Sequence, residues 1–246
     1  MSVRESSPGP DTIRPPALGA GPARKTIAPA WHTCILIAAI IILGISEIPG
    51  SRPASPPPAL QFYLGAIAFE LLLLAYVWWG LKLRGNPLSL LVNFRTLTRC
   101  GNDVLLGLAG WAVWYLVESL IARGLTTVGL TNAGAPGAVF PHGFIQASLW
   151  ILLSALTGFS EELAFRGYLL KQFTAWSGST TIGIVMQAAL FGFGHVYLGT
   201  RQVVLIAVSG ALLGIFAAQL RNIRPLMLTH AWADVFGGLI VRGIPY

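Results

Sequence analysis

The sequence predicts an all-α membrane protein whose helices form a polytopic bundle. Hydrophobic residues make up 54% of the 246 residues and charged residues only 10%, whereas soluble domains carry about 25% charged residues. The mean hydropathy is +0.69. So few charges cannot coat a globule in water, but they suit a bundle whose outer face meets lipid. The length of the apolar runs then predicts about seven spans.

Seven apolar runs carry this prediction, and most of them approach the ~20 residues that a spanning helix needs. They cover residues 32–48, 60–80, 103–121, 143–165, 182–199, 203–220 and 225–242. Residues 1–30 are rich in Pro, Gly, Ser and Ala and are predicted to form a disordered cytoplasmic tail. Three N-terminal spans with their loops then occupy residues 31–142, and a core of four spans occupies residues 143–246.

The positions of Lys and Arg predict the orientation, because cytoplasmic loops carry an excess of both. Seven spans put the chain ends on opposite sides, and the residues assigned to the inside are Arg4, Arg14, Arg24, Lys25, Lys82, Arg84, Arg95, Arg99, Arg166, Lys171, Arg221 and Arg224. The residues assigned to the outside are Arg52, Arg123, Arg201 and Arg242. We therefore expect a membrane protein with a cytoplasmic amino end and an outer carboxyl end. This explains the net charge of +7 without a nucleic-acid partner.

Two adjacent carboxylates lie near the end of the fourth apolar run and an arginine directly follows it, in the segment GFSEELAFRG over residues 158–167. An ionisable group at a helix centre costs roughly 2.5–3.5 kcal/mol on insertion scales. Glu162 and Arg166 are four residues apart and share a helix face, so they can pair. Glu161 is rotated by about 100° from Glu162 and can face a cavity. Alone, the motif fits either a salt bridge at the membrane edge or a polar reaction site.

The histidines favour a reaction site. His195 lies within the fifth apolar run. His230 opens the seventh run and precedes Asp234 by four residues, so these two side chains face the same way. Polar side chains in spans turn toward the bundle interior, and we therefore expect these groups to converge with Glu161.

Four further polar residues have structural interpretations. His32 and His142 flank apolar runs and are predicted to lie at the membrane interface. Glu70 and Glu118 stand alone within apolar runs and are predicted to be snorkelling or hydrogen-bonded structural acids.

Together the three polar motifs resemble the signature of the CPBP intramembrane proteases, which include the type II CAAX prenyl endopeptidases and the bacteriocin-processing or immunity (Abi) proteins. That signature is EExxxR, then FxxxH, then HxxxN or HxxxD, on successive core helices. The corresponding residues here are Glu161-Glu162-xxx-Arg166, Phe191-xxx-His195 and His230-xxx-Asp234. The resemblance covers residues 143–242 and implies a CPBP-like catalytic core, in which Glu162 and Arg166 would hold the site in shape.

The resemblance implies that the chain hydrolyses a peptide bond of a membrane-associated protein or peptide, and we expect it to do so in a bacterial plasma (inner) membrane. By the same resemblance, Glu161 and His195 would activate the attacking water, while His230 and residue 234 would stabilise the oxyanion. Asp234 departs from the commoner asparagine of the family. An ionised aspartate cannot donate to an oxyanion, and it would instead orient His230 or bind a cation.

The metal question stays open on these residues. Glu161, His195 and His230 make a two-histidine, one-carboxylate set for a divalent metal such as zinc, like that of soluble metalloproteases. A metal-free version, with glutamate as the base, needs no ion. The residue types of the family favour the metal-free version.

Helix geometry sets a condition on this constellation. His230 lies a few residues from the inner end of its span, whereas His195 would be ~20 Å from the inner end of a helix that began at Thr181. The groups meet only if that helix starts deeper, tilts, or breaks at Gly192 and Gly194. We therefore predict a longer or displaced fifth helix and a site that opens to the cytoplasmic half.

Two other functions are alternatives to proteolysis. The chain would be a non-catalytic relative that binds a peptide or partner, as an immunity protein does, or a proton-coupled transporter that uses Glu70, Glu118, Glu161 and the histidines as a relay. The charges cluster on the last four spans, and the sequence has no inverted repeat of discontinuous helices. Both observations disfavour transport.

Overall fold

In a computed structural model, residues 25–46, 58–92, 100–131 and 140–240 are described, and every regular element within these ranges is a helix. The α-helices are α1 (Ala30–Ser46), α2 (Ala59–Lys82), α3 (Cys100–Thr127), α4 (Gly143–Glu161), α5 (Leu170–Ser177), α6 (Thr180–Gly194), α7 (Thr200–Leu220) and α8 (Arg224–Leu239). A π-helical segment, Glu162–Leu169, joins α4 to α5, and short 3-10 turns lie at Leu88–Leu90 and Val196–Leu198. The predicted tail, up to residue 24, lies outside the described residues, as do the charged residues Arg4, Arg14, Arg24, Arg52, Arg95, Arg99 and Arg242.

The prediction of an all-α polytopic membrane protein is confirmed. The helices that are long and apolar enough to cross a membrane span Ala59–Lys82, Cys100–Thr127, Gly143–Ser177 and Thr200–Leu220. α1 and α6 are apolar but shorter. Many large apolar side chains on the outside of the bundle, such as Leu72, Leu105 and Ile145, are exposed, as expected for contact with lipid. Each of the seven predicted apolar runs corresponds to a helix, and the number of crossings and the three-part organisation stay predictions.

Close approaches at glycine bring the site-bearing helices together. A Cβ atom on Gly158 of α4 would lie 2.7 Å from both the Ala231 nitrogen and the Met227 oxygen of α8. A Cβ atom on Gly192 of α6 would lie 2.7 Å from the Val203 oxygen of α7. Only glycine permits such backbone contact, so these positions hold α4 against α8 near His230 and α6 against α7 near the end of α6.

The fourth helix is longer than its apolar run. α4, the π-helical segment and α5 form one path of 35 residues that ends at Ser177, rather than at residue 165. Gly178, with φ of 72°, ends α5, and the Ser179 hydroxyl accepts a hydrogen bond at the start of α6. Measured along the two antiparallel helices from the turn at Gly178, Glu161 lies roughly 24 Å away and His195 roughly 22 Å away. Both residues therefore lie at nearly the same depth in the bundle.

The fifth helix is displaced rather than lengthened, which is one of its two predicted alternatives. α6 has 15 residues and is not longer than its apolar run. It is displaced, because the fourth helix extends to Ser177 and α6 therefore begins further along the bundle. A break also follows Gly194, where α6 gives way to the 3-10 turn at Val196–Leu198.

His32 lies in the core rather than at the interface, which corrects its prediction. Its side chain is fully buried in α1. Nδ1 lies 2.9 Å from the Tyr168 hydroxyl oxygen, and the imidazole stacks on the Tyr76 ring with 4.0 Å between ring centroids. The aromatic and hydroxyl partners explain how a polar ring is accommodated among apolar helices. His142, in contrast, is exposed just before α4.

Candidate active site

The two glutamates of the site lie at a change of helix type. Glu161 is the last residue of α4, and Glu162 is the first of the π-helical segment. Hydrogen bonds in a π-helix reach five residues back, as the bond from the Leu170 N–H to the Phe165 carbonyl shows. All eight residues of this segment are buried. Such segments are rare and frequently occur at functional sites.

Glu162 binds two partners through one oxygen. Arg166 Nη1 donates to Glu162 Oε1 at 2.8 Å, and neither side chain is exposed. His230 Nδ1 lies 2.9 Å from the same oxygen. A carboxylate paired with arginine can only accept, so Nδ1 of His230 carries a proton and donates it to Glu162. The predicted Glu162–Arg166 pair is therefore present, and it also orients His230 with Nε2 pointing away from Glu162.

Glu161 faces the other side of the His230 ring. Its Oε2 atom lies 3.6 Å from His230 Nε2, which is too long for a hydrogen bond. This oxygen is buried and has no hydrogen-bond partner, whereas the great majority of buried polar atoms have one. Asp234 Oδ2 lies 3.8 Å from the same nitrogen, and the Asp234 side chain is 32% exposed. Two carboxylates thus flank Nε2 at distances that leave their oxygens available to another molecule.

His195 lies directly after α6. Its Nδ1 atom lies 2.8 Å from the Phe191 carbonyl oxygen, which can only accept. Nδ1 therefore carries the proton, and the lone pair of the neutral ring is on Nε2. The Phe191 ring packs edge-on against His195 and His230, with 5.1 and 6.0 Å between ring centroids. The guanidinium carbon of Arg166 lies 4.3 Å from the same ring centre, so Phe191 is the common wall of the site.

The predicted metal ligands do not form a metal site in this arrangement. Across residues 25–46, 58–92, 100–131 and 140–240, no group of three or more His, Cys, Asp or Glu side chains could hold a metal ion. Glu161 lies 3.6 Å from His230 Nε2, and the His195 and His230 rings pack against the same Phe191 ring. The zinc set Glu161, His195 and His230 stays a prediction, and no step below passes through a metal.

Glu70 is hydrogen-bonded, which is one of the two environments predicted for it. It is buried in α2, and the Ser160 hydroxyl donates a hydrogen bond to its Oε2 atom. Ser160 is fully buried, and its hydroxyl oxygen also lies 2.8 Å from the Leu156 carbonyl oxygen, the alternative acceptor for its single proton. Since Ser160 immediately precedes Glu161, a third carboxyl group lies beside the site. The sequence did contain a signal for this role, since an ionisable residue such as Glu70 within a span indicates a functional site by default.

Glu118 is also part of a polar chain that ends near the site. Ser209 of α7 donates to Glu118 Oε1 at 3.1 Å, and Trp114 Nε1 donates to the Ser209 hydroxyl at 2.6 Å. The Trp114 ring packs edge-on against His230, with 5.9 Å between centroids. Trp114 and Glu118 are four residues apart on α3, and this spacing was the signal that they share a face.

Residues 142–236 match the family model of the Type II CAAX prenyl endopeptidase Rce1-like proteins. The comparisons with curated proteins and with solved structures give no match. The matched stretch includes the whole of α4 to α7 and most of α8, and it therefore contains every predicted site residue.

Proposed function

Through residues 142–236 the chain belongs to the type II CAAX prenyl endopeptidase Rce1-like family of CPBP proteases, and on this premise we propose that it is an intramembrane endopeptidase. Its substrate is a membrane-associated protein or peptide. The peptide bond is hydrolysed by a water molecule that Glu161 and His195 activate. Glu162 and Arg166 position the site, and no metal takes part.

The observation that carries this proposal is that one carboxylate oxygen of Glu161 has no hydrogen-bond partner. Its Oε2 atom is buried without a hydrogen-bond partner and lies 3.6 Å from His230 Nε2. The neighbouring Glu162 is held by Arg166 and His230. One carboxylate is therefore committed to structure, while the other can accept a proton. A general base needs such a free acceptor within reach of the reacting water.

The reaction uses the groups on both sides of the imidazole of His230. As the water oxygen bonds to the scissile carbonyl carbon, a water proton passes to Glu161, and the Nε2 lone pair of His195 orients the water. The carbonyl oxygen becomes an oxyanion beside His230 Nε2 and Asp234. Collapse of the intermediate breaks the C–N bond, and the proton on Glu161 passes to the leaving amine.

His230 can stabilise the oxyanion because of its partners. Nδ1–H is directed at Glu162, so a second proton on Nε2 makes a cation flanked by Glu161 and Asp234. Charged donors aimed at a developing oxyanion are typically worth about 3–4 kcal/mol. Asp234 assists by holding that proton on the imidazole, which accounts for an acid where asparagine is commoner in the family.

The chain is a multi-pass membrane protein, and we place it in a bacterial plasma membrane with its amino end in the cytoplasm and its carboxyl end outside. The substrate enters the site from the cytoplasmic half of the membrane.

A terminal-peptide survey tests the proposal. Membrane and secreted fractions would be compared between cells that carry the intact chain, Glu161→Gln or Glu118→Gln at matched abundance. Glu118→Gln is the matched control, because the amide oxygen can still accept the hydrogen bond from Ser209. We expect new peptide termini with the intact chain and with Glu118→Gln, and none with Glu161→Gln. Identical termini in all three strains would overturn proteolysis in favour of a non-catalytic, peptide-binding protein.

A proton relay is the second candidate, because Glu70 and Glu118 approach the same site from α2 and α3. Its test is solute uptake driven by a pH gradient in vesicles that contain the purified chain. Uptake that is lost in Glu70→Gln and in Glu118→Gln would favour the relay. Uptake that survives Glu161→Gln would indicate a route outside the site described above.

A further inference from the structure

A basic cavity of about 610 Å³ lies where α5 turns into α6 and where α7 ends. Among the described residues, the cations that line it are Lys25, Arg166, Lys171 and Arg221. Polar groups of Thr174 and Asn222 add to the wall, and no described Asp or Glu does. The cavity therefore presents positive charge and hydrogen-bond donors without a lining carboxylate to neutralise them.

This cavity is distinct from the candidate active site. None of Glu161, His195, His230 and Asp234 lines it. Arg166 alone belongs to both, and it is 1% exposed. Its Nη1 atom donates to Glu162, whereas its Nε and Nη2 atoms have no hydrogen-bond partner.

One wall of the cavity is the chain segment that precedes α1. The Ile27 N–H donates to Gln172 Oε1 at 3.1 Å, and Gln172 Nε2 donates to the Ala28 carbonyl at 2.9 Å. Asn86 Nδ2 donates to the Ile27 carbonyl at 2.9 Å. These bonds tie the segment to α5 and to the turn after α2. Lys25, two residues before Ile27, is thereby held beside the cavity.

Arg221 has an unusual backbone at the end of α7. With φ of 50° and ψ of 29°, it is the one non-glycine residue with a positive φ in the described part of the chain. Residues other than glycine rarely adopt this left-handed backbone conformation. The next residue, Asn222, donates to Asp103 Oδ1 at 2.9 Å, which fixes the turn. The chain therefore keeps an arginine at the cavity in a conformation that glycine would adopt more readily.

We propose that this cavity binds a phosphate group. Its volume lies within the roughly 300–1,000 Å³ of ligand pockets, and Arg and Lys are the residues that bind phosphate. Basic pockets between membrane helices on the cytoplasmic side bind anionic lipid head groups, and this end of the bundle carries the cations assigned to the inside. The phosphate comes from an anionic phospholipid or from free phosphate. The proposal does not depend on the proposed proteolytic function.

The test measures binding to the purified full chain. Thermal unfolding would be followed with phosphatidylglycerol, with phosphatidylcholine and with inorganic phosphate, and native mass spectrometry would count the bound lipids. The test variant combines Lys171→Gln with Arg221→Gly, since glycine suits the backbone of residue 221. The control is Lys82→Gln, which removes an exposed cation at the end of α2 that does not line the cavity.

We expect stabilisation by phosphatidylglycerol or by inorganic phosphate. At roughly a fivefold loss per cation, the double variant should bind about 25-fold more weakly, and Lys82→Gln should bind as the unaltered chain does. Stabilisation by phosphatidylglycerol alone identifies a lipid head group, and stabilisation by inorganic phosphate identifies the free anion. The proposal would be overturned if neither phosphatidylglycerol nor inorganic phosphate stabilised the chain. It would also be overturned if the double variant and Lys82→Gln bound equally well, at matched stability without ligand.

Discussion

Glu162 holds His230 by a hydrogen bond of 2.9 Å between its Oε1 atom and the imidazole Nδ1. The two residues lie on different helices, 68 positions apart in the chain. Because Arg166 donates to the same oxygen at 2.8 Å, the three side chains form a buried cluster that fixes the direction of His230 Nε2. The adjacent Glu161 makes no such bond through its buried Oε2 atom. Two neighbouring carboxylates therefore have different tasks.

Glu162→Gln should lower both stability and cleavage. The substitution leaves the guanidinium of Arg166 buried without its ionic partner, and breaking such a pair typically costs about 3–5 kcal/mol. It also replaces the charged acceptor of the His230 Nδ1 proton with a neutral amide oxygen, which stabilises a protonated imidazole less, so cleavage should fall at every substrate concentration. Unfolding in detergent and cleavage of a reporter peptide would measure the two effects.

Glu161→Gln is the contrasting variant, because it changes a carboxylate with no partner at Oε2. Its stability should equal or exceed that of the unaltered chain, while cleavage is lost. The double variant Glu162→Gln, Arg166→Met should regain stability without regaining cleavage. If Glu161→Gln destabilises the chain as much as Glu162→Gln does, the division of tasks is wrong.

Gly158→Ala should separate α4 from α8. The added Cβ would lie 2.7 Å from two backbone atoms of α8, which cannot rotate away as a side chain could. Overpacking of this kind typically costs about 1–3 kcal/mol, and here it also shifts Glu161 relative to His230. Thermal unfolding and cleavage should both decline.

Gly65→Ala supplies the matched control on α2, since nothing lies within 4 Å of a Cβ at that position. Alanine is favoured over glycine in a helix interior by roughly 0.5–1 kcal/mol, so stability should stay the same or rise. Equal losses in the two variants would show that the close contact of α4 and α8 is not what positions the site.

Spacing within one helix predicted part of the site. Glu162 and Arg166, four residues apart, pair at 2.8 Å, and His230 and Asp234 approach to 3.8 Å. Periodicity does not show which helices are lateral neighbours, however. For that reason the sequence did not predict the hydrogen bond between His230 and Glu162, which lie on different helices, or the contact of Glu70 with Ser160.

Charge was a misleading marker of where the fourth helix ends. Arg166 and Lys171 suggested the membrane edge, but Glu162 neutralises Arg166 inside the core, and the helix continues to Ser177. The π-helical segment has no sequence signal either, because its eight residues contain no proline and only one glycine to mark an irregularity. The depth of His195 depends on this longer path, so it could not be obtained from the fifth apolar run alone.

Purified protein should cleave without a bound metal. The described His, Cys, Asp and Glu side chains do not form a group that could hold an ion, and Glu161 can act as the base by itself. We expect cleavage to persist after treatment with a chelator, and metal analysis to find less than one zinc per chain. Stoichiometric zinc, lost together with activity and restored with it, would require a rearranged site that includes Glu161, His195 and His230.

Glu70→Gln should leave cleavage within about threefold of the unaltered chain, a difference of less than 1 kcal/mol in the barrier. The amide oxygen can accept from the Ser160 hydroxyl as the carboxylate does, so the support behind Glu161 is preserved. Glu70→Leu removes that acceptor and should reduce cleavage further, with the Ser160 hydroxyl still bonded to the Leu156 carbonyl. Cleavage would be measured at matched amounts of folded protein. Loss of cleavage in Glu70→Gln at unchanged stability would mean that Glu70 must carry a proton, and the reaction would then depend on a third carboxyl group outside the family motif.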